Sequence, residues 1–319
     1  MKRLISIIVS AIILVVIYTR IDFLGLIEVF KNCDPLWMVI SLGMVVPLTL
    51  STSWRLQQLM PREYAHLLGF GEANKLILAA SVLNMVLPSK MGDIAKAYFM
   101  RDRGHLDGSL AVSLVIFEKA CDLLSLLLWC AFGLFLVPEK NLLFWAMTIA
   151  ITSGLILGGL LLGWPPFARF FFRVLRKIAP KKLKQKFQRM DTSWQAMHSY
   201  FWSDRQQLFK ITLTSIGIWF LHLLQIWFFI LALKAWTPFL ANLALSPLAI
   251  LAGLLPLTFA GVGTRDAALI AFYAPYFPAA TGAALGLLCT SRYLMPAIGG
   301  LPFLNEYLST LRQVQGTKV

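Results

Sequence analysis

The sequence predicts an all-α integral membrane protein of about six transmembrane helices plus two re-entrant helical hairpins in an inverted repeat. Three observations predict it. Of the 319 residues, 58% are hydrophobic and only 14% charged, whereas a soluble domain carries roughly 25% charged residues to coat its surface. Apolar runs of about 20 residues recur along the chain, the length that crosses ~30 Å of hydrocarbon. Two further apolar runs are too short to cross and lead into turns rich in Pro and Gly, which marks backbone that turns back at membrane depth.

The spans read as residues 4–19, 36–54, 110–137, 142–164, 211–233 and 279–303. Lys2 and Arg3 precede the first. Thr19, Arg20, Ile21 and Asp22 follow it, with no small-residue cleavage site, so it reads as a retained span and not a signal peptide. Pro47 predicts a kink in the second span. The short runs are residues 76–88, leading through Ser89, Lys90, Met91, Gly92 and Asp93 into 94–100, and residues 243–256, leading through Gly261, Val262, Gly263, Thr264, Arg265 and Asp266 into 267–273.

The net charge is +14, from 29 Lys and Arg against 15 Asp and Glu. The basic residues lie mostly between apolar runs, which argues for the positive-inside rule and anionic lipid and against nucleic acid. Residues 165–210 hold 11 Lys and Arg against 2 acids, interleaved with Phe167, Phe170, Phe171, Val174, Leu175, Ile178, Leu183 and Phe187. This spacing suits an amphipathic helix on a membrane surface, or else a basic loop. Placing it in the cytoplasm puts both termini on the cytoplasmic side of a plasma (inner) membrane, in a multi-pass protein. The count then makes residues 76–108 a hairpin from the cytoplasmic face and 236–278 a hairpin from the outer face. One polytopic domain results, with half-repeats of about 36–137 and 211–303 around the basic segment.

The two hairpins echo each other. Each has a Leu-Pro pair ahead of its turn, Leu87-Pro88 in the first and Leu255-Pro256 in the second. Asp93 ends the first turn and Asp266 the second. Lys119 follows Asp93 at the same interval at which Arg292 follows Asp266. In the same register, Ala111-Val112-Ser113-Leu114 is echoed by Ala284-Leu285-Gly286-Leu287. Interrupted hydrophobic segments at matching positions of two inverted halves point to a transporter's midplane site, and both hairpins are expected to bring their acids towards a shared polar centre.

A lone charge at the bilayer centre costs at least ~2.5–3.5 kcal/mol, so intramembrane charges mark a site or pair with one another. Glu118 and Asp122 are four apart in one apolar run and share a helix face. With Lys119 they either line a polar cavity beside the first hairpin or hold the hairpins in place through Lys119, Lys96 or Arg292. Arg265 and Arg292 are phosphate candidates, because a guanidinium meets phosphate with two parallel hydrogen bonds; the alternative is that they only neutralise Asp93 and Asp266. Hairpin half-helices also offer unpaired N–H groups that attract anions. Asn84 precedes Pro88 and would cap broken backbone or touch a headgroup. His222, alone in an apolar span, reads as a packed, hydrogen-bonded histidine. Cys33, Cys121, Cys130 and Cys289 are scattered without a CxxC pair, so neither a disulfide framework nor a metal site is expected. Gly261 and Gly263 lack the preceding strand and third glycine of a dinucleotide loop, and no cofactor is expected.

These motifs resemble the transmembrane, flippase-like region of the lysylphosphatidylglycerol synthase family. That family's pattern is a Pro-Gly-rich turn ending in Gly-Glu, a Glu-Arg…Asp helix, and a Gly-x-Gly-x-Arg-Glu turn. Here they read Leu87-Pro88-Ser89-Lys90-Met91-Gly92-Asp93, Glu118-Lys119-Ala120-Cys121-Asp122, and Ala260-Gly261-Val262-Gly263-Thr264-Arg265-Asp266. Asp stands for Glu in both turns, Lys119 for Arg, and Ser89 and Ala260 for Gly. The resemblance covers roughly residues 5–305 and implies the lipid-translocating half alone, without the soluble aminoacyltransferase domain of two-domain members. It implies a transporter that moves an anionic or aminoacylated phospholipid, or an isoprenoid-linked lipid, between leaflets. The expected substrate-binding residues are Asn84, Asp93, Glu118, Lys119, Asp122, Arg265, Asp266 and Arg292. The expected partners are membrane lipids with a phosphate-bearing headgroup, and a second copy of the chain or a separate synthase. Two other readings stand beside it: a membrane-embedded lipid-modifying transferase with Asp93 or Glu118 as base, and a non-transporting subunit that supports a separate synthase.

Overall fold

The computed structural model describes residues 23–61, 64, 66, 68–86, 91–102, 106–136, 140–254 and 263–316. The expected first span at 4–19, the Pro88 turn and residues 255–262 lie outside the described residues. Every regular element among the described residues is a helix. In chain order they are α1 (Phe23–Lys31), α2 (Pro35–Gly43), α3 (Val45–Leu59), α4 (Phe70–Val86), α5 (Met91–Asp102), α6 (Gly108–Leu136), α7 (Leu142–Gly163), α8 (Pro165–Ile178), α9 (Lys181–Ser203), α10 (Arg205–Ala232), α11 (Phe239–Leu254), α12 (Thr264–Tyr273) and α13 (Ala279–Gly316).

Local chemistry explains where several of these begin and end. Asp34 caps α2: its Oδ1 accepts from the backbone N–H of Leu36 at 2.9 Å and of Trp37 at 3.1 Å. Pro35 occupies the first helical position, where a missing N–H costs nothing. The span predicted over 36–54 runs from Pro35 to Leu59 and breaks at Met44 between α2 and α3. Pro47 lacks an N–H, and its ring crowds the carbonyl four residues back, at Gly43. The break therefore falls just before the proline.

Three described stretches are long and apolar enough to cross a membrane: Pro35–Leu59, Phe144–Gly163 and Arg205–Ala232. The apolar side chains of α7 point outward, with Trp145 53%, Ile149 68% and Ile156 58% exposed. A helix that is apolar all round and exposed is stable in hydrocarbon, not in water. The two short runs form helix pairs, α4 with α5 and α11 with α12, and each pair is followed by a long helix, α6 or α13. At 12 and 10 residues, α5 and α12 are too short to cross, because a helix rises only about 1.5 Å per residue.

The basic segment is helical except at Ala179-Pro180, where α8 gives way to α9, and at Asp204, where α9 gives way to α10. One face of α8 is buried through Ala168 and Phe172, while Arg169, Arg173 and Lys177 are exposed. An ion pair from Arg176 Nη2 to Asp191 Oδ2 at 3.4 Å ties α8 to α9, and Phe172 packs near Trp194.

The chain divides into two compact units. The first comprises Met1–Leu48, Leu126–Thr152 and Trp219–Met295, and holds the α11–α12 pair. Its core includes Leu223, Ile226, Phe229, Leu248, Leu269, Tyr273 and Leu285. The second comprises Thr49–Ser125, Ser153–Ile218 and Pro296–Val319, and holds the α4–α5 pair. Leu56, Leu76, Phe99, Leu114, Phe117, Phe201 and Tyr307 lie in its core, with Phe117 and Phe201 stacked at 3.9 Å between ring centroids.

In both units a glycine lets a long helix approach the backbone of the helix pair. A Cβ on Gly133 of α6 would lie 2.4 Å from the Ala244 carbonyl oxygen of α11, inside the first unit. A Cβ on Gly300 of α13 would lie 2.2 Å from the Leu78 carbonyl oxygen of α4, inside the second. Small residues at such crossings are how helices associate closely in lipid. Gly133→Ala should therefore lower the melting temperature in detergent, costing about 1–3 kcal/mol. Gly159→Ala, whose Cβ meets nothing within 4 Å, should change stability by less than about 0.5 kcal/mol. Equal melting of the two variants would show that the α6–α11 approach does not require a glycine.

Candidate functional site

The second unit concentrates charge. Glu118, Lys119 and Asp122 lie in the middle of α6, otherwise an apolar helix. Their partners come from α3 and α5. Arg55 donates from Nη2 to Glu118 Oε1 at 3.0 Å and from Nη1 to Asp122. Its Nη1 also donates to the Ser215 hydroxyl at 3.2 Å. Lys96 Nζ meets the other Glu118 oxygen at 2.7 Å and Asp93 Oδ1 at 3.2 Å. Lys119 Nζ reaches Asp93 Oδ2 at 3.1 Å and Asp122 Oδ2 at 3.8 Å. Three acids are thus matched by three bases.

The cluster is graded in depth. The side chains of Arg55, Lys96 and Glu118 are 1–3% exposed, that of Asp122 is 23% exposed and that of Lys119 44% exposed. One end is sealed in the unit and the other is open. Asp93 sits in the first turn of α5 and Arg101 in its last, each sign favoured by the helix dipole at that end. A Cβ at Gly92 would lie 2.2 Å from the Ala80 carbonyl oxygen, so glycine is what lets α5 fold back onto α4. Asn84 Oδ1 is buried beside Gly92 with no hydrogen-bond partner among the described residues.

The first unit has a different arrangement. Gly263 precedes α12 with φ 101°, a conformation that glycine alone adopts freely. Asp266 Oδ2 accepts from the Gly263 N–H at 3.0 Å. Its Oδ1 accepts from the neighbouring Arg265, from Nε at 2.9 Å and from Nη2 at 2.6 Å. Arg265 Nη2 also meets the Gly286 carbonyl at 3.0 Å and the Thr290 hydroxyl at 2.8 Å. Gly286 is again required by space, since its Cβ would lie 2.8 Å from Asp266 Oδ1. Arg292 pairs with a neutral group, its Nη2 lying 2.6 Å from His222 Nδ1. Its Nε is buried without a partner among the described residues. Deeper in the unit, Tyr273 and Ser246 share Asn242 Oδ1, each at 2.9 Å, and Asn242 donates to the Leu223 carbonyl at 2.9 Å.

Of the residues singled out from the sequence, Asp93, Glu118, Lys119 and Asp122 meet in one cluster. Arg265 and Asp266 meet in the other unit. Asn84 packs on Gly92. Arg292 lies on α13 against His222. The two matching acid-to-base intervals are used differently: Lys119 pairs with Asp93, whereas Asp266 is taken by Arg265 and Arg292 has no carboxylate partner among the described residues. The expected open N–H at the second hairpin turn is also taken, by Asp266.

Arg55 escaped the sequence reading, which placed it in the loop after a span ending at residue 54. The helix continues to Leu59, so Arg55 lies inside it and is 2% exposed. The available signal was its place directly after Trp54 in a stretch with no helix breaker before Pro61. His222, read as a packed histidine, is hydrogen-bonded as expected, with Arg292 as its partner.

Residues 3–300 match the family described as the lysylphosphatidylglycerol synthase TM region. A UPF0104 membrane protein of Methanocaldococcus jannaschii is 23% identical over 327 aligned residues, covering 94% of this chain and 93% of that protein.

Breaking the sealed end of the cluster should be far more damaging than breaking the open end. Arg55→Ala takes from Glu118 and Asp122 the buried partner they share, leaving them Lys96 and Lys119 alone, and should cost about 3–5 kcal/mol. Lys119→Ala removes a half-exposed partner and should cost about 1 kcal/mol or less. Thermal unfolding of the purified variants in one detergent checks the order, and a reversal would mean that Arg55 is not what neutralises α6.

Proposed function

The chain belongs to the lysylphosphatidylglycerol synthase transmembrane-region family, and on that premise we propose that it moves a lipid with a phosphate-bearing headgroup between membrane leaflets. The substrate class is an anionic or aminoacylated phospholipid, or an isoprenoid-linked lipid. The site lies in a plasma (inner) membrane with both chain termini cytoplasmic.

The observation that supports this reading is the cluster on α3, α5 and α6: six charges, four of them on α3 and α6, fully paired, sealed at Arg55 and Glu118 and open at Lys119 and Asp122. Ionisable groups at membrane depth face a protein interior or a water-filled path, and they mark substrate routes. A headgroup entering at the open end meets an ammonium, Lys119, that lies between two carboxylates, Asp93 at 3.1 Å and Asp122 at 3.8 Å. It can take the place of one partner without leaving a bare charge in hydrocarbon. Acyl or isoprenoid chains need not cross, because they remain in lipid throughout. The short helices α5 and α12 fit the same role, since interrupted helices line midplane sites in transporters.

The decisive measurement is leaflet exchange of a fluorescent phospholipid in vesicles carrying the purified protein, read by chemical quenching of the outer leaflet. Wild-type protein should accelerate exchange above protein-free vesicles. Asp93→Asn weakens the hold on Lys119 and should slow exchange about tenfold or more, the rate equivalent of one lost charge-assisted contact. Lys75→Gln, in the exposed Glu72–Lys75 pair, should leave it unchanged. Wild-type exchange no faster than in empty vesicles, across anionic, zwitterionic and isoprenoid lipids, would refute the proposal.

A further inference from the structure

Two arginines of the first unit lie near α12 and α13, and their surroundings are opposite. Arg265 is 5% exposed and is held through Nε and Nη2: a carboxylate, a carbonyl and a hydroxyl accept from it. Its charge is cancelled by Asp266 at 2.6 Å, and it locks the start of α12 to α13. Arg292 is half-buried. Its contact at 2.6 Å is with His222 Nδ1. A guanidinium is always protonated and only donates, so Nδ1 must be the lone-pair nitrogen of a neutral imidazole with its proton on Nε2. That contact orients the guanidinium and leaves its charge intact. The Cys289 thiol beside Arg292 does not cancel it either.

Arg292 therefore unites three features found together neither in Arg265 nor in the second-unit bases. It has no carboxylate among the described residues. Its Nε–H is buried and unpartnered among them. The residue as a whole is half-buried and not sealed as Arg265 is. Nε and one Nη form the edge of the guanidinium that takes two oxygens of a phosphate in parallel. Lys119, the exposed base of the second-unit cluster, is already held by Asp93 and Asp122.

We propose that Arg292 is the anion subsite of this protein, taking a phosphate mono- or diester through its guanidinium edge, with His222 as the positioning residue that holds the fork in place. The proposal deepens the transport reading and rests on it for the lipid source of the phosphate. Binding itself can be tested apart from transport.

The test uses the full chain in detergent micelles with three probes: dihexanoyl phosphatidylglycerol, dihexanoylglycerol without phosphate, and sodium phosphate. Wild-type protein should bind the phosphatidylglycerol by calorimetry and melt at higher temperature in its presence. Dihexanoylglycerol should do neither. Arg292→Gln should weaken binding about tenfold or more, as expected for loss of a charge-assisted pair. Arg292→Lys should weaken it less. Without any probe, Arg292→Gln should melt no lower than wild type, because it removes an uncompensated charge. His222→Leu should weaken binding, and His222→Asn, which can keep an acceptor near the Nδ1 position, should restore it.

Binding of sodium phosphate alone that depends on Arg292 supports the subsite and assigns free phosphate as its ligand. Unchanged phosphatidylglycerol affinity in Arg292→Gln overturns the proposal. So does equal binding of dihexanoylglycerol, or destabilisation of the probe-free variant. Arg292-dependent binding without leaflet exchange would leave the subsite standing and sink the transport reading. Equal exchange by wild type and Arg292→Gln would do the reverse.

Discussion

Arg55 holds two carboxylates one helical turn apart, and the second unit is organised around that contact. Glu118 and Asp122 lie on one face of α6 because residues four apart are neighbours on a helix. The planar guanidinium meets the two through separate nitrogens, Nη2 on Glu118 and Nη1 on Asp122. Once Arg55 of α3 occupies one oxygen of Glu118, the second remains for Lys96 of α5. Lys96 then takes one oxygen of Asp93, and Lys119 takes the other. Three helices are thereby tied through one chain of alternating charges. Each link leaves its neighbour's charge to be satisfied by the next.

Such a chain is a poor source of net stability, because the desolvation of six ions offsets most of their attraction. Its effect is on specificity. In hydrocarbon a misplaced α5 would strand several charges at once, so alternative packings of the helix pair are strongly penalised. The glycines act in the same sense by a different force. Gly92 and Gly300 permit backbone approaches that any side chain would block, and close approach is what gives dispersion attraction its strength between helices in lipid. Charge selects the partner, and the missing side chain sets the distance.

Much of this was legible in the sequence, for physical reasons that can be named. Apolar length exposed the long helices, because nothing but hydrocarbon requires about 20 apolar residues in a row. The Gly and Pro turns exposed the helix pairs, which appear as α4–α5 and α11–α12. The α-helical spacing of Glu118 and Asp122 announced a shared face. The partner at that face did not announce itself. Arg55 lies 63 residues from Glu118 in the chain, and a basic residue after an apolar run looks the same whether the helix ends there or continues. The repeated spacing misled in another way. Asp266 and Arg292 repeat the separation of Asp93 and Lys119, but Arg265 adjoins Asp266 and outcompetes any distant cation. The residue directly before Asp93 is Gly92, so nothing there could displace Lys119. The buried Asn242–Ser246–Tyr273 network was invisible for the same reason as Arg55, since Tyr273 comes from another helix.

The two short helices also decide which groups are left to recognise a ligand. A helix that starts inside a membrane has unpaired N–H groups and the positive end of a dipole, and either could draw an anion. Here each short helix carries its own acid in the first turn, Asp93 in α5 and Asp266 in α12. Asp266 takes the N–H of Gly263 directly. A carboxylate supplied by the chain fills the place that a phosphate would otherwise compete for, and it repels any second anion that approaches. In the proposed transporter, recognition of a negative headgroup then falls to side-chain cations and not to the helix ends. Among the described arginines of the first unit, Arg265 is spent on Asp266 and Arg292 is not. If Arg292 is the proposed anion subsite, the chain's own capping of its short helices has moved the anion-binding role from the helix ends to a guanidinium on the neighbouring long helix.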